Sequence, residues 1–300
     1  MYDPVLGAYE QWLRNVRGAC PGTIERRRQC LVPFLEFLGE AARVEALCKL
    51  DAECIRAYVT SRSAEYSKSH RNSIGSTLRL FLRFCFHQGH ISRDLSGCVP
   101  SVRIYKLADT PRGITDKQAE KVLNRVDRCS AIGKRDYAIL QLLHTYGIRG
   151  GQVRALRVED IDWRSDRILF RPLKRGKQSL LPLTEGVGES LLDYLQNGRP
   201  DICCAHVFVT MVPPCHPLDR SQALSSIIAR RIKDADVSTE SNGAHAFRHC
   251  FAGRMVNRGH SLKAIADIFG HKLLASTFIY TKVDFQNLEQ VALEWPEVSK

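Results

Sequence analysis

Paired cysteines of the CxxC type are missing from this chain, although it holds 11 cysteines. An odd number without paired spacing argues against a disulfide framework and fits a reducing compartment. No uninterrupted apolar run is long enough to cross a bilayer. The opening stretch MYDPVLGAYEQW carries an early acid and no basic-then-apolar leader pattern. The expectation is therefore a cytoplasmic protein without a membrane partner. A Walker loop and an acid cluster at metal-ligand spacing are also absent, so no motif calls for a nucleotide, a metal or another cofactor. Internal repeats and low-complexity segments are lacking as well.

What is present is length and positive charge. Three hundred residues suggest about two domains on the usual length prior. The formal net charge is +12 and the pI is near 9.3. Residues 1–104 carry 15 Lys and Arg against 10 Asp and Glu, and the rest carries 29 against 22, so both parts are positive. A polyanion contacted by two lobes accounts for that spread, as does a solvated basic surface.

Periodicity divides the chain. Val5, Leu6, Tyr9, Leu13 and Val16 repeat at helical spacing up to Cys20-Pro21-Gly22. A second helix carries Ile24, Leu31, Phe34, Leu35 and Leu38, with Pro33 expected to bend it. Asp51 reads as the N-cap of a third helix, and residues 67–88 form a fourth. Arg26 and Arg27 on the second helix, with Lys68, Arg71 and Arg79 on the fourth, are candidate phosphate contacts or solvated charges. Val102 to Gly113 breaks the pattern and places a linker at 105–112. Thr115 or Asp116 then caps a helix, and AILQLLHTYGI is a helix ending at Gly147-Ile148-Arg149. Residues 167–170 and 179–183 read as a hairpin about a Lys-Arg-Gly-Lys turn, with a further short strand at 206–210. The fold class is mainly α with a small antiparallel β-sheet.

The chemistry concentrates between Gly243 and Tyr280. His245 and Arg248 are three residues apart, which on a helix places both on one face. Gly270-His271 follows an apolar helical run, and Tyr280 stands nine residues later. A tyrosine hydroxyl ionises near 10, so forming its phenolate at pH 7 costs about 4 kcal/mol unless neighbours favour it. Guanidinium forks match the non-bridging oxygens of a phosphoryl transition state, a role that suits Arg149 and Arg248. A lysine on a hairpin can protonate a leaving oxygen. Each residue also has a plainer reading: Arg149 as electrostatic partner of a helix C-terminus, His271 as a C-cap, Tyr280 as a half-buried aromatic. Cys203, Cys204, His206, Cys215 and His216 invite a zinc reading, but adjacent cysteines suit a tetrahedral site poorly, so no metal is expected.

Arg149 in LLHTYGIRGGQVRALRVEDID, Lys174 in LKRGKQSLLPL, His245 and Arg248 in HAFRH, His271 in FGHKLLAST and Tyr280 in FIYTKV resemble, in order and in gaps, the active-site set of the tyrosine recombinase or phage integrase family. Singly each motif is common. The six together, in register, carry the resemblance, which is detailed from about Thr115 onward. It implies a helical, core-binding (SAM-like) DNA-binding domain at 1–104 and a mixed α/β tyrosine-recombinase catalytic domain at 113–300, with a tail at 285–300.

The resemblance further implies a site-specific recombinase or integrase that cuts and rejoins double-stranded DNA without metal, ATP or any small-molecule substrate. Tyr280 attacks the scissile phosphate, forms a 3'-phosphotyrosyl enzyme and releases a 5' hydroxyl. His245 assists proton transfer and His271 bonds a non-bridging oxygen. Lys174 acts as general acid, chosen over Arg175 and Lys177 by register, and those two join the DNA-contact candidates. Recombination in the family runs in a tetramer on DNA. Leu288, Val291, Ala292 and Trp295 in the tail suit docking on a neighbouring protomer or on the same domain. The tail loosely resembles transposon-borne members. Two departures stand out. Gln152 replaces the acid usual three residues after the first arginine, which predicts weaker orientation of Arg149 and admits a non-cutting accessory protein as an alternative. Gly150-Gly151 predicts a looser backbone there.

Overall fold

The apolar spacing at the start of the chain does form a helix: α1 (Asp3–Asn15) buries Val5, Leu6, Tyr9 and Leu13. The structure is a computed structural model describing residues 3–39, 47–62, 65–103, 113–172, 178–270 and Thr277. The chain divides into two compact units, Met1–Ala108 and Asp109–Lys300. In the first, α2 (Pro21–Leu38) starts with Pro21, whose missing N–H costs nothing in the first turn, and continues through Pro33. Asp51 caps α3 (Ala52–Ser61) by accepting from the Cys54 N–H at 2.8 Å, and Ser67 caps α4 (Lys68–His87). Leu31, Phe34, Leu35, Tyr58, Phe81 and Leu82 fill the space between these helices. Tyr9 meets Phe81 edge-on at 5.3 Å, and Phe34 meets Tyr58 at 5.1 Å. Val16, expected on the apolar stripe of α1, lies past its end and is 68% exposed, because the helix stops at Asn15.

The second unit contains α5 (Asp116–Arg125), α6 (Ala131–Tyr146), α7 (Gly150–Ala155), β1 (Ile161–Asp162), β2 (Arg167–Phe170), β3 (Ser179–Pro182), α8 (Glu185–Asn197), α9 (Ser221–Asp234), α10 (Ala244–Asn257) and α11 (Leu262–Ile268). Thr115 and Gln118 cap α5 reciprocally, at 2.8 and 3.2 Å. In α6, Ala138, Ile139, Leu140, Leu142 and Leu143 are all fully buried, so this helix is the centre of the unit, with α8 and α10 packed on it. The sheet has the order β1-β2-β3 and is antiparallel, with Ile168 opposite Leu181 and Phe170 opposite Ser179. The expected hairpin is thus present, and β1 adds a strand where the sequence showed only an acidic run. The strand expected at 206–210 makes isolated bridges instead, Arg157 with His206 and Val209 with Pro217, because Val207, Phe208 and Val209 are buried in the core away from a ladder.

A buried carboxylate ties two of these helices. Asp136 of α6 is fully buried; its Oδ1 accepts from Arg135 Nε at 3.0 Å and Nη2 at 2.7 Å, and its Oδ2 accepts from Arg230 Nη2 at 2.9 Å and Arg231 Nε at 2.8 Å. Removing one member of such a cluster strands the other charges in a low-dielectric interior. Asp136→Ala is therefore expected to lower the unfolding free energy by about 3–5 kcal/mol, as read from urea denaturation midpoints.

Candidate active site

Two arginines converge on one backbone oxygen. Arg149 precedes α7, and its Nη1 donates to the Phe269 carbonyl at 3.0 Å. Arg248, on the second turn of α10 and only 4% exposed, donates from Nη2 to the same carbonyl at 3.2 Å and from Nη1 to the Gly147 carbonyl at 2.8 Å. Its guanidinium also lies 3.5 Å from the centroid of the Phe269 ring. Two permanent positive charges meeting in one partly desolvated place concentrate positive potential there, which favours an anion. His245, one turn before Arg248, is solvent-accessible. Desolvation, then the neighbouring Arg248 and Arg149, hold its pKa below the usual 6.5, so it is neutral at pH 7 and can accept a proton.

Backbone geometry fixes this convergence. Gly147 ends α6 in the left-handed conformation (φ +58), and a Cβ there would meet the Phe251 ring at 2.7 Å. Only glycine can present its carbonyl to Arg248 in this way. Gly150, expected to loosen the chain, does the opposite: a Cβ on it would stand 2.9 Å from Leu224 and 3.1 Å from Ala244, so its absence lets α7 press against α9 and α10. Gln152 is 9% exposed, and its Oε1 accepts from the Arg149 backbone N–H at 3.1 Å. The amide thus caps α7, and the Arg149 guanidinium takes its orientation from Phe269. Gln152 Oε1 therefore bonds the Arg149 backbone and not its guanidinium.

His249, one turn after His245, is pushed from 6.5 down to about 4, by burial first and then by His245 and Arg248. The unfolded chain binds this proton near pH 6.5 and the folded chain only near 4, so between those values the unfolded state holds more protons and stability falls as pH falls. His144 and His245, also lowered, act in the same direction. The lowered carboxylates Asp94, Asp116, Asp162 and Asp193 lose their contribution only below their ordinary value of 3.8. Urea midpoints should therefore drop between pH 7 and pH 5, and His249→Gln should flatten that slope by up to about one proton.

Of the other residues singled out from the sequence, Lys174, Arg175, Lys177, His271, Tyr280, the linker and the tail lie outside the described residues. The described chain reaches Gly270, left-handed at φ +59, immediately before His271, and Thr277, three residues before Tyr280, is buried. In the N-terminal unit Arg26 and Lys68 are exposed, while Arg27 and Arg71 are half-buried. Burial pushes the pKa of the Tyr9 phenol up to about 12, against the electrostatic pull of nearby Arg27. Arg79 donates from Nη2 to the carbonyls of Val99 and Pro100 at 3.1 and 2.9 Å, so it ties residues 99–100 to α4 and is placed as a structural brace. In the loop that holds Cys203, Cys204 and His206, Cys204 Sγ lies 3.5 Å from His206 Nδ1. Among the described residues, the donor group that does gather is Asp116, His144 and Cys250. Arg254 already sits in it, with Nη1 at 2.9 Å from Asp116 Oδ1 and 2.8 Å from His144 Nε2, so a guanidinium occupies the position a cation would take. Arg254 and Phe269 were not singled out from the sequence; an arginine six residues beyond Arg248 carries no signal of its own.

Residues 112–287 match the phage integrase family. The chain is 34% identical over 289 residues to a putative integrase/recombinase, y4rA, of Sinorhizobium fredii, covering 96% of this chain and 70% of the relative. It is 25% identical over 299 residues to the tyrosine recombinase XerC of Oceanobacillus iheyensis, covering 96% and 94%. The fold is similar to that of a lambda integrase tetramer bound to a Holliday junction, with a TM-score of 0.71 at 18% identity over 99% of this chain and 79% of that one. With a family match over more than half its length and a relative of this identity along nearly all of it, the chain belongs to the phage integrase family.

Proposed function

We propose that the protein is a site-specific DNA recombinase that cuts and rejoins strands through a 3'-phosphotyrosyl intermediate formed by Tyr280. The observation that supports this most is the convergence of Arg149 and Arg248 on the Phe269 carbonyl, next to a neutral His245. In this reading the two guanidiniums hold the non-bridging oxygens of the scissile phosphate and neutralise charge that grows in the transition state. His245 assists the proton leaving Tyr280, Lys174 protonates the departing 5' oxygen, and His271 adds a hydrogen bond to a non-bridging oxygen. The phosphodiester energy stays in the tyrosyl ester, so rejoining needs no nucleotide.

The helical unit at 1–104 would bind duplex DNA, with Arg26 and Lys68 as phosphate contacts, and Arg175 and Lys177 would add contacts from the second unit. Four protomers would assemble on two sites, as lambda integrase does on a Holliday junction. The alternative is a non-cutting accessory protein, suggested by Gln152 in place of an acid. The test is a nicked duplex carrying the bound site, mapped by footprinting. The expected result is a detergent-resistant protein–DNA adduct whose modified peptide contains Tyr280, in a yield that chelator leaves unchanged. A bound site with no adduct would sink the proposal.

A further inference from the structure

Two arginines on one helix grip the same end of another. The last carbonyls of α6 lack intrahelical partners, and that end of the helix is electronegative. Arg248 reaches the Gly147 carbonyl, and Arg254, six residues further along α10, donates from Nη2 to the His144 carbonyl at 2.7 Å. Arg254 is itself held: its Nη1 and His144 Nε2 both lie 2.9 Å from Oδ1 of Asp116, the first residue of α5. Nη1 of Arg254 also lies 2.8 Å from His144 Nε2, whose role as donor or acceptor depends on the tautomer of the ring. Burial lowers the His144 pKa and Asp116 opposes it; burial raises that of Asp116, but His144 and Arg254 outweigh it and leave the carboxylate ionised. Cys250 Sγ, at 3.6 Å from the same oxygen, closes the cluster.

We infer that Asp116, His144 and Arg254 form a positioning clamp that sets the register between α10, which carries His245 and Arg248, and the end of α6, which leads directly into Arg149. None of the three lies at the anion site. Their effect is transmitted through α6 and α10, so a shift there moves Arg149 relative to Arg248 without touching DNA. A misplacement of about 1 Å in such a constellation costs on the order of 100-fold in rate. The inference rests on the proposed phosphoryl transfer for its kinetic consequence, but not for its geometric one.

Asp116→Asn and Arg254→Lys are the informative variants, since both keep the volume of the cluster while removing a charge or a fork. Single-turnover adduct formation at saturating nicked DNA should fall by roughly 100-fold in Arg254→Lys while DNA affinity stays within about twofold. The nuclear magnetic resonance titration of His245, which faces Arg149, Arg248 and His249, should move its midpoint upward as the two guanidiniums recede. Both measurements are taken on protein shown to be folded by its melting transition. Wild-type rate together with an unchanged His245 midpoint in both variants would overturn the clamp, and so would a rate loss matched by an equal loss of folded protein. If wild-type protein forms no adduct, the recombinase reading fails, while the His245 titration still decides the clamp.

Discussion

Tyr280→Phe is expected to bind its DNA site with unchanged affinity and to form no detectable covalent adduct. The substitution removes one oxygen and leaves the ring, so under the proposed mechanism the phosphate contacts of the arginines are retained and only the nucleophile is lost. An arginine is not a nucleophile at any ordinary pH, so Arg149 and Arg248 cannot take over that role. A phenolate is costly near neutrality, so the site must lower that cost by presenting positive charge where Tyr280 meets the phosphate. Electrophoresis after boiling in detergent reads the adduct, and gel retardation reads binding. An adduct persisting in Tyr280→Phe would assign the nucleophile to another side chain.

Arg248→Lys is expected to reduce single-turnover cleavage by about 100- to 1000-fold, the usual consequence of losing one preorganised transition-state donor. Arg248 contacts the Gly147 carbonyl, the Phe269 carbonyl and the face of the Phe269 ring at once. A lysine ammonium keeps the charge but is a point donor on a flexible stem, so it cannot lie flat on the ring while bridging two carbonyls and facing a phosphate. DNA affinity should fall much less than the rate, because a single phosphate contact is a small part of binding to a duplex. Equal loss of both would place Arg248 in ground-state binding alone and remove it from the transition state.

The candidate site was legible to different depths. HAFRH could be read as a shared helix face because helical spacing is local, and α10 does carry His245 and Arg248 one turn apart. The capping roles of Asp51 and Thr115 were legible for the same reason: both bonds close within three residues. Asp136 was not legible, because inside a run such as RDYAILQLL an acid gives no sign of its partners, and two of them lie in α9. Gly150 misled, since a glycine chosen for close approach to Ala244 looks in sequence like one chosen for flexibility. The bond from the Arg149 backbone N–H to Gln152 spans three residues and is local in the same way as the other caps. Arg79 gives no local sign of Val99 and Pro100, about twenty residues on, whose carbonyls accept from it.

By itself the sequence determined the chemical inventory of this protein and its order: the arginines, histidines and tyrosine, the mainly helical fold and the family. Those follow from periodicity and motif spacing, which are properties of neighbouring residues. Only the tertiary structure decided that Arg149 and Arg248 share the carbonyl of Phe269, and that Arg254 grips the end of α6 below them. Those contacts join residues 120, 21 and 110 positions apart, and they exist because α6, α10 and α11 pack through buried side chains whose pairing no local pattern encodes.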